Sequence, residues 1–261
     1  MGASMKAIIL AAGQGRRLKH LTRDLPKCLA VVLDGKTLLR TQLDALKACG
    51  INDIALVRGH QADKIRVDGL RYYLNEEYAS NNILASLFSA EEELDGDVLV
   101  SYSDIWYDEA LQRKIAASRA DLALGVDVHW QAYYEGRREH SVAEAENVVF
   151  DSAGRLLKIG KIGAEMPVDG EFVGMMKLSA PGCELLKRHY HRVRELHEGK
   201  SFQRADLFKN AYLTDLLQEM VDRNVSIHCE AVDSTWKEID TLEDVEKAQA
   251  YFKQRQQKET R

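Results

Sequence analysis

The chain has 261 residues, of which 45% are hydrophobic and 30% are charged, a composition typical of soluble globular proteins. This length is enough for one α/β domain with a sizeable core. The formal net charge of −5 argues against a general nucleic-acid-binding protein, because such proteins usually carry a basic face. No stretch approaches the length of an apolar membrane span and no signal-peptide core precedes the first strand, so we expect a cytoplasmic protein.

Cysteine usage favours reduced structural thiols, because the four cysteines are scattered without CxxC spacing. They are Cys28, Cys49, Cys183 and Cys229. Residues 1–4 (MGAS) precede a second methionine, Met5, and we interpret them as a remnant of cloning outside the fold.

The first half of the chain alternates short apolar strands with helical patterns. A helix is predicted over 37–49, where apolar residues recur at helical spacing and Gly50 can end it. A second helix begins at Asn81 or Asn82 as its N-cap. Strand and helix alternating at this spacing indicate βαβ units and a mostly parallel sheet flanked by helices. The predicted strands are 6–10, 53–59, 70–75, 97–104 and 120–128.

The second half begins with a β-rich stretch. Residues 146–161 predict a hairpin, with Asp151-Ser152-Ala153-Gly154 as its turn, and 171–179 predict another strand. We interpret residues 5–252 as a single domain with an inserted β-rich flap at about 129–179, and 253–261 as a frayed tail. The remaining predicted elements are helices over 181–197, 207–224 and 242–256 and a strand over 225–232.

The stretch MKAIILAAGQGRRL, which begins at Met5, joins a buried strand to a turn with almost no side-chain bulk. Another molecule could lie against the backbone of this turn, which spans residues 11–15. A cluster of cations follows that would suit a polyphosphate. The alternative is a tight turn before a solvated basic face, because neither the Rossmann nor the Walker glycine spacing is met. The cations are Arg16, Arg17, Lys19, Arg23 and Lys27.

Two carboxylates also follow predicted strand ends. Asp104 comes directly after the fourth strand, and Asp240 ends the late segment WKEID. Ligands of an open parallel sheet bind outside the carboxyl ends of its strands, so both aspartates are expected at that edge. Either one alone could be a helix N-cap. Together they would repel unless a cation lay between them, and Mg²⁺ is suited to one or two carboxylates plus substrate phosphates.

These motifs resemble those of nucleotidyltransferases that activate sugar phosphates and related phosphate esters. LAAGQGRRL followed by Pro26-Lys27 is similar to the family signature, and NAYLTDLLQEMVDRNV to a helix of that family. SDIWYD and WKEIDTLEDVEKA are similar to its two metal-aspartate segments. The resemblance runs from Met5 to about Tyr251. It implies a Rossmann-like, GT-A-like fold and transfer of a nucleotidyl group with release of pyrophosphate.

The resemblance also implies roles for matching residues. Arg17 would hold the β and γ phosphates, and Lys27 the α-phosphate and the attacking oxygen, as the catalytic residues. Asp104 and Asp240 would bind Mg²⁺. Lys161 would hold the acceptor's phosphate, although the Glu-Lys-Pro context of relatives is missing and a plain surface lysine is the alternative. The nucleotide-binding residues would be Leu10, Ala11, Ala12, Gly13, Gly15, Arg16, Gly59, Asn82 and Ser86.

Further stretches favour CTP as the nucleotide. NNILASLFSA resembles the NN..SL segment of bacterial choline-phosphate cytidylyltransferases. VRGHQADKI and VSYSDI resemble cytidylyltransferase domains found with phosphonate biosynthesis. The implied partners are CTP and a small phosphate or phosphonate, with phosphocholine, aminoethylphosphonate and hydroxyethylphosphonate all open. The alternatives are a sugar-1-phosphate uridylyl- or guanylyltransferase and a non-catalytic nucleotide-binding module; a homodimer is also open.

The segment HWQAYYEGRREHSVAEAENV, within the predicted flap, combines aromatic and acidic residues. Its aromatic rings and carboxylates could surround an ammonium headgroup through cation–π contacts. The alternative is that the aromatic residues pack the flap onto the sheet. The nearby cations, Arg137, Arg138 and His140, would instead suit an acidic acceptor or its phosphate. The predicted acceptor-binding residues are Trp130, Tyr134, Arg137, Glu146 and Lys161.

Overall fold

A computed structural model of the protein describes residues 5–33, 35–162, 166–233 and 235–259. Within these ranges the chain forms a nine-stranded mixed sheet flanked by helices, together with two small two-stranded sheets. The strands are β1 (Lys6–Ala11), β2 (Val31–Leu33), β3 (Lys36–Thr37), β4 (Asp53–Arg58), β5 (Arg71–Leu74), β6 (Val98–Tyr102), β7 (Ile105–Tyr107), β8 (Leu122–Asp127), β9 (Asn147–Phe150), β10 (Leu156–Gly160), β11 (Gly170–Leu178), β12 (His228–Val232) and β13 (Trp236–Glu238). The α-helices are α1 (Leu38–Ala48), α2 (Ile83–Phe88), α3 (Glu109–Ala116), α4 (Gln131–Tyr134), α5 (Ala180–His197), α6 (Leu213–Asp222) and α7 (Leu242–Glu259).

The parallel half of the sheet forms as predicted. β1 lies at its centre, with Ile8 opposite Ala55 of β4 and Val100 of β6, and β5 extends the sheet beyond β4. All four strands run in the same direction, so their carboxyl ends share one edge. This arrangement confirms the predicted Rossmann-like α/β fold.

Side chains of β1 alternate between two cores, because successive strand residues point to opposite faces. Ile8 and Leu10 belong to one core, which also contains residues of α2, α5 and α6. Ala7 and Ile9 belong to the other, with residues of α1 and α3. Helices therefore cover both faces, and the short apolar run read in the sequence is a strand buried on both sides.

The strands of the 129–179 segment are continuous with the central sheet. β11 pairs antiparallel with β6, β8 and β9, and β9 pairs with β10 as the predicted hairpin. β12 then adds to β8 in parallel. The segment thus contributes β11 to the middle of the sheet, and the stretch before β9 is its main irregular part.

Two predicted helices are shorter in the structure. The helix predicted over 207–224 begins at Leu213, where the Tyr212 amide donates to the Asp215 carboxylate at 2.8 Å. The helix predicted after Asn82 ends at Phe88, and a separate 3₁₀ turn follows over Glu91–Glu93. Conversely, α7 continues to Glu259 and covers most of the predicted tail, while residues 1–4 and 260–261 lie outside the described ranges.

None of the helices in the described ranges has the length and apolar content that crossing a membrane requires. The four cysteines are free, and three of them, Cys28, Cys183 and Cys229, are buried.

Candidate active site

The loops after β1, β4 and β6 lie side by side at the carboxyl edge of the parallel strands. The Ser103 amide donates to the Leu10 carbonyl and the His60 amide to the Ala12 carbonyl, both at 3.1 Å. Gly59 permits this approach, because a Cβ atom there would lie 2.7 Å from the Ala12 carbonyl oxygen. The edge thus brings together several residues predicted to contact the nucleotide: Leu10, Ala11, Ala12, Gly13 and Gly59.

Gly15 makes room for the stem of Lys27. Its φ of +59° lies in the left-handed region that favours glycine, and a Cβ atom there would lie 2.7 Å from the Lys27 Cβ. The Thr22 hydroxyl donates to the Gly15 carbonyl at 2.8 Å and holds the turn closed. In this structure Gly15 therefore positions a predicted catalytic side chain.

The predicted pair of carboxylates is joined by Lys27. The Lys27 Nζ lies 2.9 Å from Asp104 Oδ2 and also contacts Asp240 Oδ1. Arg17 forms an ion pair with the other oxygen of Asp240. The two predicted catalytic cations and both predicted metal ligands thus form one cluster, although they lie far apart in the sequence.

The cluster has a defined charge state. Burial alone would lower the pKa of the Lys27 ammonium, but Asp104 and Asp240 outweigh it and hold that pKa above its usual value. Burial would likewise raise the pKa of the Asp240 carboxyl, yet Lys27 and Arg17 lower it to about 2. Near neutral pH, Lys27 is therefore a cation and Asp240 an anion.

The other predicted cations of the opening loop do not enter this cluster. Arg16 donates to the Gln14 side chain at 2.6 Å, and Lys19 forms an ion pair with Glu139 at 2.9 Å. Together with Arg23, Arg16 and Lys19 line a separate open cavity of about 770 Å³. Arg16, which was predicted to bind the nucleotide, therefore lines this second cavity and is not in the Lys27 cluster.

Two further residues lie beside Asp240, namely Glu238, which was not predicted, and His140, which was predicted only as a nearby cation. The His140 Nδ1 lies 3.6 Å from carboxylate oxygens of both Glu238 and Asp240. Burial, followed by the Arg137 charge, lowers the pKa of His140 to about 4, so it is neutral near pH 7 rather than the cation that was predicted. Burial, together with Asp240 and Asp104, raises the pKa of Glu238 well above its usual value.

A signal for Glu238 was present in the sequence. Glu238 and Asp240 lie two residues apart in an extended segment, and such residues point to the same side. The position of His140 beside Asp240 had no comparable signal, because His140 lies in an irregular stretch between α4 and β9.

These groups border a pocket of about 280 Å³. Three further residues from the predictions line it, namely Asn82, Glu146 and Lys161. Asn82 is the N-cap of α2, and its side chain also donates to the Asn210 carbonyl at 3.1 Å. The pocket is lined by Arg17, Asn82, Ile83, Tyr102, Asp104, His140, Glu144, Glu146, Lys161, Tyr212, Glu238 and Asp240.

The pocket lining also combines acidic and aromatic side chains. The Thr214 hydroxyl donates to Glu146 Oε1 at 2.6 Å, which fixes this carboxylate at the pocket. Lys161 Nζ lies 2.6 Å from Glu144 and 5.4 Å from the centre of the Tyr212 ring. Lys161 therefore has an acidic partner in the lining of the pocket.

Three predicted acceptor-binding residues are placed elsewhere. Trp130 is buried and packs edge-on against Tyr134, whose hydroxyl donates to Glu171 at 2.7 Å. The Arg137 side chain is fully buried, with its guanidinium carbon 4.9 Å from the centre of the Tyr134 ring. The guanidinium occupies one face of this ring, and Tyr134 is not among the residues that line the pocket. In this region the packing alternative describes the structure better.

Ser86, predicted to contact the nucleotide, is also buried away from the pocket lining. Its hydroxyl accepts a hydrogen bond from the Asn75 side-chain amide at 2.9 Å. Asn75 in turn exchanges two hydrogen bonds with Asn81, at 2.8 and 2.9 Å. Ser86 thus supports the chain just before α2.

Comparison with known proteins agrees with this arrangement. The model of the MobA-like NTP transferase domain family matches residues 7–164. The chain belongs to this family. Its membership confirms the nucleotidyltransferase resemblance that was predicted from the signature around Arg17 and Lys27.

Individual relatives extend the similarity over most of the chain. The CTP:phosphoglutamine cytidylyltransferase of Campylobacter jejuni is 29% identical over 256 residues, covering 93% of this chain and 98% of the relative. The 2-aminoethylphosphonate cytidylyltransferase of Lancefieldella rimae is 26% identical over 71% of each chain. Among solved structures, the CTP:phosphocholine cytidylyltransferase of Streptococcus pneumoniae has a TM-score of 0.69 at 23% identity, covering 95% of this chain and 99% of that one, which supports the fold.

Proposed function

We propose that the protein is a Mg²⁺-dependent cytidylyltransferase that transfers CMP from CTP to a small phosphate or phosphonate. A phosphate or phosphonate oxygen of the acceptor attacks the α-phosphorus, a new P–O bond forms, and the bond to the leaving pyrophosphate breaks. The observation that carries this proposal is Lys27 bridging Asp104 and Asp240 at the strand edge. The choice of CTP rests on the cytidylyltransferase relative that covers 93% of the chain.

The residues present suit a reaction between anions. The attacking oxygen is already negatively charged, so no general base is required, and the protein has to bring two anions together and offset their charge. Lys27 stays protonated and is held by two carboxylates, so its ammonium group is oriented in advance. The Arg17 side chain is half exposed and can reach the triphosphate from the pocket's edge.

The carboxylates also fit a divalent cation. Oxygen ligands suit Mg²⁺, and Asp104 Oδ1 is a buried atom without a hydrogen-bond partner among the described residues. Asp104 and Asp240 would hold the ion, with Glu238 next to them. When bound, Mg²⁺ would offset the charge of the phosphates of CTP.

The pocket favours an acceptor that carries a positively charged ammonium group as well as a phosphorus-containing anion. Glu144 and Glu146 are both in its lining, and Glu146 is fixed by Thr214. Lys161 and Arg17 supply positive charge to the same pocket. Phosphocholine and 2-aminoethylphosphonate have this combination of charges.

The release of pyrophosphate from nucleoside triphosphates in the presence of the purified protein tests the proposal. CTP, UTP and GTP would each be combined with phosphocholine, 2-aminoethylphosphonate, hydroxyethylphosphonate and glucose 1-phosphate in the presence of Mg²⁺. We expect turnover with CTP and an acceptor that carries an ammonium group, and a new diphosphate-type linkage in the ³¹P spectrum. Turnover confined to UTP or GTP with glucose 1-phosphate would favour the sugar-phosphate alternative, and no turnover would favour a binding module.

Replacing Glu146 tests the acceptor side of the proposal. Glu146→Gln keeps the shape and the Thr214 contact but removes the negative charge, so the KM for the acceptor should rise about tenfold while the KM for CTP stays nearly unchanged. Glu195→Gln is the control, because it makes the same change in net charge at an exposed position of α5. Equal KM values for an acceptor with and without its amino group would contradict an ammonium subsite at Glu146.

A further inference from the structure

Arg137 is the most completely enclosed cation near the candidate site. Its side chain has 0% exposure, and its guanidinium carbon lies 4.3 Å from the centre of the Tyr133 ring. Burying a guanidinium is costly unless its donors are paired, so its partners show what the burial achieves. Arg137 does not line the pocket, which distinguishes it from Arg17.

One partner of Arg137 links it to the backbone that carries Asp240. Arg137 Nε lies 2.7 Å from Asp244 Oδ1. The other oxygen, Asp244 Oδ2, accepts hydrogen bonds from the Asp240 amide at 3.1 Å and the Thr241 amide at 2.8 Å. Asp244 is fully buried, so Arg137 is the charge that offsets this carboxylate in the interior.

A second set of contacts reaches the side chains around Asp240. Arg137 Nη2 donates to His140 Nδ1 at 2.9 Å and lies 3.6 Å from Glu238 Oε2. The Tyr133 hydroxyl donates to the Glu238 carbonyl at 2.5 Å. Residues 133–140 therefore contact residues 238–244 through both side-chain and backbone groups.

We infer that Arg137 is a positioning residue for the candidate metal site. It fixes the backbone of Asp240 through Asp244, and it orients His140 and Glu238 beside the Asp240 carboxylate. This inference rests on the proposed function for its catalytic meaning, but the geometry of the carboxylates can be tested without catalysis. Arg137 was predicted from the sequence to bind the acceptor. An acceptor-binding role would change the KM for the acceptor, whereas a positioning role would change the metal dissociation constant and kcat.

Binding of Mn²⁺ alone, followed by electron paramagnetic resonance without nucleotide, is the first measurement. The variants are Arg137→Lys, which keeps the charge but cannot span Asp244 and His140 together, and Asp244→Asn, which alters the same link from its other end. Arg71→Met is the matched control, because Arg71 pairs with Asp53 and Glu93 at the opposite edge of the sheet. Circular dichroism shows whether each variant is folded.

Residues that orient metal ligands typically change metal affinity or activity by about 10- to 100-fold. We therefore expect Arg137→Lys and Asp244→Asn to raise the Mn²⁺ dissociation constant at least about tenfold and to lower kcat in that range, with the KM for the acceptor unchanged. Arg71→Met should leave all three constants as in the wild type. If Arg137→Lys does not fold, the Asp244→Asn result decides.

Two results would overturn the inference. Mn²⁺ affinity within twofold of the wild type in a folded variant would show that the carboxylates do not depend on this link. A rise confined to the acceptor KM would make Arg137 an acceptor-binding residue, as first predicted. If the wild type itself has no turnover with any acceptor, the proposed function fails, while the Mn²⁺ measurement still tests the positioning role.

Discussion

The strand edge and the stretch 130–137 offer similar residues but use them in different ways. At the strand edge, Lys27 joins Asp104 and Asp240, and these two carboxylates line a pocket. In the stretch 130–137, Arg137 and Tyr134 pair with buried carboxylates and do not line that pocket. Residue type alone therefore does not show which charged cluster lines the pocket.

The difference lies in what holds each backbone. Asp104 follows β6, whose register with β1 is set by buried apolar residues such as Val100 and Ile8. A slip of one residue would turn those side chains to the other face, so the position of Asp104 is strongly specified. Among the described residues the stretch 130–137 pairs with no strand, and its orientation follows from which side chains find partners in the interior.

The largest effect should come from the strand edge, where Asp240→Asn removes one negative charge from the Lys27 cluster. We expect kcat to fall on the order of 1,000-fold with the fold intact, because charge offset at the reacting phosphates is lost. Turnover with CTP and Mg²⁺, measured by pyrophosphate release, checks this. Asp233→Asn, at an 84% exposed carboxylate, is the control and should be active. Near-normal turnover in Asp240→Asn would reduce that carboxylate to a structural partner of Lys27.

Lys27→Met should have the next largest effect. Under the proposed function, Lys27 would meet charge that concentrates as the two anions converge, so kcat should fall about 100-fold while the dissociation constant of CTP changes less than about threefold. Calorimetry with CTP and turnover measurements separate the two quantities. Lys36→Met, at a half-exposed ion pair with Asp44, is the control. Equal losses in affinity and kcat would make Lys27 a triphosphate anchor.

Much of this strand edge could be predicted from sequence. The apolar run before Ala11 and the polar residues after β6 predicted the parallel sheet and its edge, and the signature predicted Arg17 and Lys27. Trp130 and Tyr134 do not line the pocket, and the sequence could not show this because aromatic residues serve equally well in a core and around an ammonium group. Periodicity cannot distinguish these uses, since α4 is a single turn. Glu238 was missed although its spacing from Asp240 indicated a shared side.

The buried carboxyl of Glu171, the partner of Tyr134, should make the stability of the fold depend on pH. Burial raises the pKa of Glu171 to about 8, against 4.5 for an ordinary glutamate, so the folded chain keeps a proton that the unfolded chain releases between these values. The free energy of unfolding should therefore fall as the pH rises from about 4.5 to about 8, by up to about 1.4 kcal/mol per pH unit. Below this window the Glu171 contribution is fully present.

Glu171→Gln removes the titrating carboxyl, so the difference between the variant and the wild type reports the contribution of this group alone. The variant should gain stability relative to the wild type as the pH rises from 5 to 8, which urea unfolding at several pH values would show. Glu109→Gln, at a half-exposed carboxylate on α3, is the control and should show a flat difference. A difference between Glu171→Gln and the wild type that stays constant with pH would place the Glu171 carboxyl in contact with water.

The smallest effect is expected for Tyr134→Phe, and it separates the two regions most directly. The change keeps the ring beside Arg137 and removes only the hydroxyl that donates to Glu171 at 2.7 Å. A buried hydrogen bond typically contributes about 1 kcal/mol, so Tm should fall by about 2–4 °C for a chain of this size. Because Tyr134 does not line the pocket, the KM for the acceptor and kcat should both stay within about twofold of the wild type.

Tyr251→Phe, a partly exposed tyrosine of α7, is the control for loss of a hydroxyl. A rise in the acceptor KM without loss of Tm would return Tyr134 to the acceptor site, and the stretch 130–137 would then act at the pocket as the strand edge does.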